Sequence, residues 1–370
     1  MSLSVTCRAS LARYDSMARR TVAALMLGGA GVLLSATSPA NAAHFQHTQI
    51  VLNNLGGSYG FILAQDITLS RIAEQHPELQ DEVRAAATDF DNAFPNITQR
   101  LTRAVESLIG REATANAMQR IETRVHKKLA AMLAPTVLTT DFSQRFLEIL
   151  HRRAEGDDIP SPYREYLLAT TYQDEPVYEL YDGYYQQFST KGHAKSRGVD
   201  LTLRLPASWG AKESRQPHIV QKWRNQVGTG MQLIVLEVYD LDGATINAQQ
   251  LKVMQANQQL SRWAPQGSEM LDSGVTTINH RPGYWFDISM AQQHKNKRTL
   301  SHTRQYGIFI NDKMVRLSCS AYQALPEGMS AVKSPRDRDS NSEFESLKTL
   351  CGGVIKGSAV MQTYETSVSR

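Results

Sequence analysis

Cysteine is scarce: the chain has three in 370 residues. It contains no Cys-x-x-Cys and no His-Glu-x-x-His, so the usual zinc-site signatures are missing. It has no phosphate-binding glycine loop and no dinucleotide glycine fingerprint, so nothing points to an NTPase or a Rossmann enzyme. Dense basic clustering interleaved with stacking aromatics is also missing, so no nucleic-acid partner is expected. Beyond residue 35 no apolar run is long enough to span a bilayer, and no transmembrane segment is expected in the mature chain. No cofactor is implied.

What the sequence does contain begins at its N-terminus. Met17-Ala-Arg-Arg supplies positive charge, Thr21 to Ser35 is apolar, and Ala40 and Ala42 occupy small-residue cleavage positions. This is the pattern of a secretory signal peptide over residues 1–42, cleaved after Ala42, with Met17 as an alternative start. The expected location is the periplasm or the exterior. Cys7 is lost with the leader, so the mature chain keeps Cys319 and Cys351. An oxidising compartment favours joining such a pair. With 31 residues between them, closing that loop stabilises the fold by about 3–4 kcal/mol in the chain-entropy treatment.

The net charge of +4 conceals an asymmetry: residues 43–190 carry a net −7 and residues 191–370 a net +8. The hydrophobic pattern changes near the same point. Between 50 and 154 the apolar residues recur at helical spacing. Ile97, Leu101, Val105 and Leu108 form one stripe, Met118, Ile121, Val125, Leu129 and Met132 another, and Phe142, Phe146 and Leu150 a third. These periods predict amphipathic helices, the first following Ser58 and ending near His76-Pro77. Helices this short need one another, so an antiparallel bundle is expected.

Residues 155–197 are a Tyr-rich connecting segment and linker. Tyr178, Tyr181, Tyr185 and Phe188 would share one face of a helix, which would either recognise a partner or bury itself between domains. From Val199 the period falls to 2, with strands expected at 199–205, 218–224, 231–239, 275–279, 283–290, 302–310 and 314–321. Ile246–Trp263 reads as one helix and Ser342–Gly357 as another. Asn311-Asp312 marks a hairpin turn, and Gln293–Arg298 another, with Lys295, Lys297 and Arg298 at its tip. That tip suits an acidic partner or peripheral contact with acidic head groups; the competing reading is a solvated hairpin end. The fold class is α+β: an N-terminal antiparallel helical bundle, then an antiparallel-sheet α+β domain over 198–357 and a tail over 358–370.

The stretches "LTLRLPASW", "MQLIVLEVYDL" and "RPGYWFDISM", in the order strand, Pro-x-x-Trp, strand, long strand, helix, meander, helix, resemble the PsbP-like superfamily, which takes in PsbP and DcrB-type envelope proteins. The resemblance covers residues 198–357. It implies binding or assembly without chemistry and carries no catalytic residue over.

Three features invite chemistry. "GGSYG" (Gly56–Gly60) matches Gly-x-Ser-x-Gly, but too few residues precede Ser58 to build the sheet that a nucleophile elbow needs; helix capping is the simpler role for Ser58. The predicted mature terminus places His44 and His47 beside a free amine, a donor set that suits copper or merely a frayed end. The carboxylates form no pair whose context implies shifted acidity. The expectation is therefore a non-enzymatic binding or accessory protein of the bacterial envelope, with a protein partner. The alternatives are a hydrolase whose site is dispersed in sequence and a copper-binding protein.

Overall fold

A computed structural model describes residues 45–294, 297–325 and 338–360. The expected signal peptide and His44 lie outside them. The chain divides into two compact units at Thr171/Tyr172.

The first unit is helical. Its elements are α1 (Gln49–Gln75), α2 (Gln80–Ala93), α3 (Ile97–Ile109), α4 (Arg111–Met132), α5 (Thr140–Ala154) and α6 (Tyr163–Thr171). Thr48 caps α1 by accepting from the Val51 N–H at 3.2 Å, and Thr139 caps α5 in the same way. Gly110 separates α3 from α4 at φ 81°, a left-handed conformation that suits glycine. The central helix α1 packs against α2, α3, α4 and α6, which explains why its middle is buried almost all round. This corrects the expected start of the first helix. It begins at Gln49, and Ser58 lies in its interior instead of capping it. Gly56, which read as part of a turn, serves close packing: a Cβ there would come 3.2 Å from Ile121 Cδ1 on α4.

The second unit is α+β. Helix α7 (Val177–Tyr181) leads into β1 (Tyr185–Ser189), β2 (Leu201–Pro206), β3 (Gly210–Lys212), β4 (Ile219–Arg224) and β5 (Gln232–Asp240). Helix α8 (Ala248–Ala256), the meander β6 (Glu269–Ile278), β7 (Arg281–His294), β8 (Lys297–Ile310) and β9 (Lys313–Leu325), helix α9 (Arg338–Lys356) and β10 (Ala359–Val360) follow. Seven strands form an antiparallel sheet in the order β3-β4-β5-β9-β8-β7-β6, and a smaller sheet runs β1-β2-β10. Leu201, Leu203 and Leu205 of β2 alternate inward. They join Val220, Trp223, Ile234, Leu236, Ile308, Val315 and Leu317 of the large sheet, and Leu347, Leu350 and Val354 of α9, in one core. The opposite face of the large sheet carries a second cluster of Tyr284, Phe286, Ile288, Phe309 and Met314 under Leu251 and Leu260.

Three expectations are revised here. The run 246–263 is not one helix: α8 starts at an Asn247/Gln250 capping box and stops before Gln258, whose φ of 55° ends it, leaving a short 3-10 turn to Trp263. Tyr178, Tyr181, Tyr185 and Phe188 do not share a helical face, because α7 ends at Tyr181 and Tyr185 opens a strand paired with β2. In β4 a register shift between Ile219 and Gln221 sets Val220 and Trp223 together in the core, where plain alternation would have grouped Ile219 and Gln221 with Trp223.

The two cysteines expected to pair are joined. Cys319 on β9 and Cys351 on α9 form a disulfide with Cα atoms 6.0 Å apart, inside the core that α9 shares with the sheet.

Candidate partner-binding surface

Helix α7 is five residues long, far too short to persist alone. It is held from below. Val177 belongs to the core and lies close enough to Gly353 of α9 that a Cβ there would meet its Cγ2 at 2.8 Å. Glu179 is buried, and its carboxylate accepts from the Ser208 N–H and hydroxyl, each at 2.7 Å. Ser208 stands between Pro206 and Trp209, in the turn that ends β2. The neighbouring Trp209 carbonyl and Pro206 carbonyl both accept from the Gln186 amide of β1. A charge-assisted, fully buried contact of this kind fixes an orientation well.

The outer side of α7 is left open. Tyr178 keeps 47% of its surface and Tyr181 65%, and their rings meet edge to face at 5.8 Å. Asp174 and Glu175 precede the helix and Asp182 follows it, all three exposed. Asp182 accepts from the Tyr172 hydroxyl at 2.8 Å. Burial first, and this contact second, raise the Tyr172 phenol pKa, so the hydroxyl stays protonated and donating. Tyr185 is half-buried on β1, with the Arg204 guanidinium 4.6 Å over its ring.

The remaining candidates are scattered. Ser58 is fully buried and donates to the Asn54 carbonyl at 2.9 Å, the ordinary helix back-bond of an internal serine. His47 is exposed ahead of α1. Among the described residues no group of three or more His, Cys, Asp or Glu could hold a metal. Lys295 lies outside the described residues, as does the side chain of Lys297. Arg298 pairs along β8 with Gln293 and Leu325.

Two polar clusters in the second unit were not read from the sequence. On one sheet face Glu237 stands directly across from Arg316 in the β5–β9 register. Arg316 donates to Glu237 Oε2 through Nε at 3.0 Å and Nη2 at 2.8 Å. The Tyr239 hydroxyl donates to Glu237 Oε1 at 2.9 Å and accepts from Arg316. Arg316 also lies 4.3 Å over the Tyr239 ring, and His218 stacks on it at 5.1 Å. Burial first, and Glu237 next, push the Tyr239 phenol up to about 12. On the other face Arg304 grips Asp287 with two nitrogens, Nη2 to Oδ2 at 2.7 Å, and covers Trp285 at 4.2 Å. Burial works against the Arg304 charge, but the Asp287 contact outweighs it and raises the guanidinium pKa. In both clusters the carboxylate is already gripped by a guanidinium, which suits holding strands together better than taking a proton from a substrate. The only sequence signal for the first cluster was Glu237 and Tyr239 two apart in a strand; the partner became visible once the register was known.

No protein-family model matches the chain, and no curated protein sequence matches it. Among solved structures it is similar to cyanobacterial PsbP (CyanoP) from Synechocystis, at 11% identity and a TM-score of 0.30, over 48% of this chain and 93% of that one. It is also similar to the Saccharomyces cerevisiae Ran-binding protein Mog1p, at 10% identity and a TM-score of 0.30, over 48% of this chain and 96% of that one. A Bacteroides thetaiotaomicron protein matches at 11% identity and a TM-score of 0.25, over 44% of this chain and 46% of that one. The expected PsbP-like resemblance thus reappears among structural neighbours, at scores too low to carry a functional argument.

Proposed function

We propose that this chain is an exported, non-enzymatic binding or accessory protein of the bacterial envelope, and that it holds a protein partner on the Tyr178–Tyr181 surface. The observation behind this reading is the exposed edge-to-face tyrosine pair on a helix anchored from inside by Glu179. Tyrosines offer large contact area at little entropic cost and are enriched at interfaces. A short helix fixed by a buried charged contact presents them preorganised, which lowers the ordering cost of binding. The Cys319–Cys351 disulfide favours an oxidising compartment, in keeping with cleavage after Ala42. No helix among the described residues is long and apolar enough to cross a membrane.

The test is a photo-cross-linking side chain placed in turn at Tyr178, at Tyr181 and, as a control, at Val253, which is also exposed. In native cells the tyrosine positions should each give one discrete adduct that the Val253 position does not. An absence of adducts, or the same adducts from Val253, would overturn the reading.

A further inference from the structure

We infer that the partner presents a basic segment, whose arginine or lysine side chains lie on Tyr178 and Tyr181 and pair with the carboxylates around them; this rests on the binding reading above.

The first observation is how this unit treats three of its other partly exposed aromatics. Tyr185 carries Arg204 at 4.6 Å, Tyr239 carries Arg316 at 4.3 Å and Trp285 carries Arg304 at 4.2 Å. Each is a guanidinium over a ring face, the arrangement that the ring quadrupole favours. Among the described residues no arginine or lysine covers Tyr178 or Tyr181, although these two rings are the most exposed aromatics.

The second is charge. Residues 173–183 hold Asp174, Glu175, Glu179 and Asp182 and no lysine or arginine. Glu179 is spent inside on Ser208. The other three lie four and three positions before Tyr178 and four after it. The chain on either side is turn-bonded to the helix, Tyr178 N–H to the Glu175 carbonyl at 3.1 Å and Asp182 N–H to the Tyr178 carbonyl at 2.9 Å. These turn bonds keep Glu175 and Asp182 at the two ends of the helix that bears the rings, with Asp174 one residue further out along the chain. This acidic, aromatic patch opens a unit, Tyr172–Arg370, whose remaining residues are basic, with a net +8 over 191–370. A cation would gain from the ring faces and the carboxylate rim together, and an acidic partner would be repelled by the rim.

The probe is a fluorescent decapeptide of alternating arginine and glycine, with a glutamate–glycine decapeptide as control, titrated against the full mature chain at low and at raised salt. The arginine peptide should bind and the glutamate peptide should not, with affinity falling as salt rises. Tyr178→Leu/Tyr181→Leu should weaken binding roughly tenfold, the size of one to two good cation–ring contacts. Asp174→Asn/Glu175→Gln should weaken it several-fold and flatten the salt dependence. Circular dichroism and the unfolding midpoint show whether each variant is folded; should the leucine pair fail to fold, Tyr181→Leu alone is read instead. Binding that the tyrosine variants leave unchanged would mean general attraction to acidic surface and would overturn the inference, as would no binding. If cross-linking at Tyr181 still captures one protein in either case, the binding surface stands and only the basic character of the partner falls. If cross-linking is empty as well, both fall.

Discussion

Glu179 accepts two hydrogen bonds from a single residue, Ser208, through the backbone N–H and the hydroxyl, both at 2.7 Å. The contact ties the helix bearing the exposed tyrosines to the turn between β2 and β3. It also gives the Pro206-Ala-Ser-Trp209 stretch a role beyond ending a strand.

Removing the hydroxyl leaves a buried carboxylate with a lost donor. Ser208→Ala is therefore expected to lower stability by about 1.5–3 kcal/mol, the range for hydrogen bonds to charged groups. Urea unfolding measures it. A change within 0.5 kcal/mol or so, typical of surface substitutions, would mean that the contact does not anchor α7.

The Tyr284 ring lies on Gly307 across the β7–β8 ladder, and a Cβ at 307 would overlap it. Gly307→Ala should cost about 1–3 kcal/mol through overpacking. In a Tyr284→Leu background the same substitution should cost much less, a coupling that a double-mutant cycle reads directly. Equal costs in both backgrounds would count against this packing.

Replacing both Cys319 and Cys351 by alanine should lower stability by about 3–4 kcal/mol, the loop-closure effect for a crosslink of this span. Reductant should produce a similar fall in the native protein and none in the variant. An unchanged urea midpoint on reduction would show that the two thiols are unpaired in the folded chain.

Asp66 on α1 has its pKa pushed up to about 6, by burial first and by Asp91 second. A carboxyl raised in the folded state binds its proton more tightly there than in the unfolded chain. Stability from this group is present at low pH and is lost as pH climbs from the ordinary value of 3.8 towards about 6. Asp66→Asn should therefore stabilise the protein at pH 7.5 and make little difference at pH 4. The Asp66 side chain is exposed to water at its end, and screening there reduces the effect, so the sign is the prediction. Thermal midpoints at the two pH values test it, and a variant less stable at pH 7.5 would contradict it.

Sequence and structure agree where a local rule suffices. The stripes at Ile97–Leu108 and Phe142–Leu150 needed only the helical period, and α3 and α5 follow them. The Asn311-Asp312 turn needed only residue preference, and β8 and β9 pair across it. Agreement fails where a distant contact overrides the local rule. Gly56–Gly60 has the composition of a turn, yet lies inside a 27-residue helix, because packing against α4 outweighs the low helix propensity of glycine. Tyr181 and Tyr185 fit a helical spacing, yet one ends a helix and the other begins a strand, because Gly183 at φ 92° breaks the helix and β2 pairs with the residues that follow.

The sequence by itself determined the two compositional halves, the α+β class and, through the scarcity of cysteine, the candidate pair Cys319 and Cys351. Those properties depend on period, charge and count, which are additive along the chain. Only the tertiary structure decided which strands are neighbours, that Glu237 meets Arg316 and Asp287 meets Arg304, and that Glu179 turns inward so that Tyr178 and Tyr181 turn out. Those depend on register and on burial against residues far away in sequence, which no short window of the chain contains.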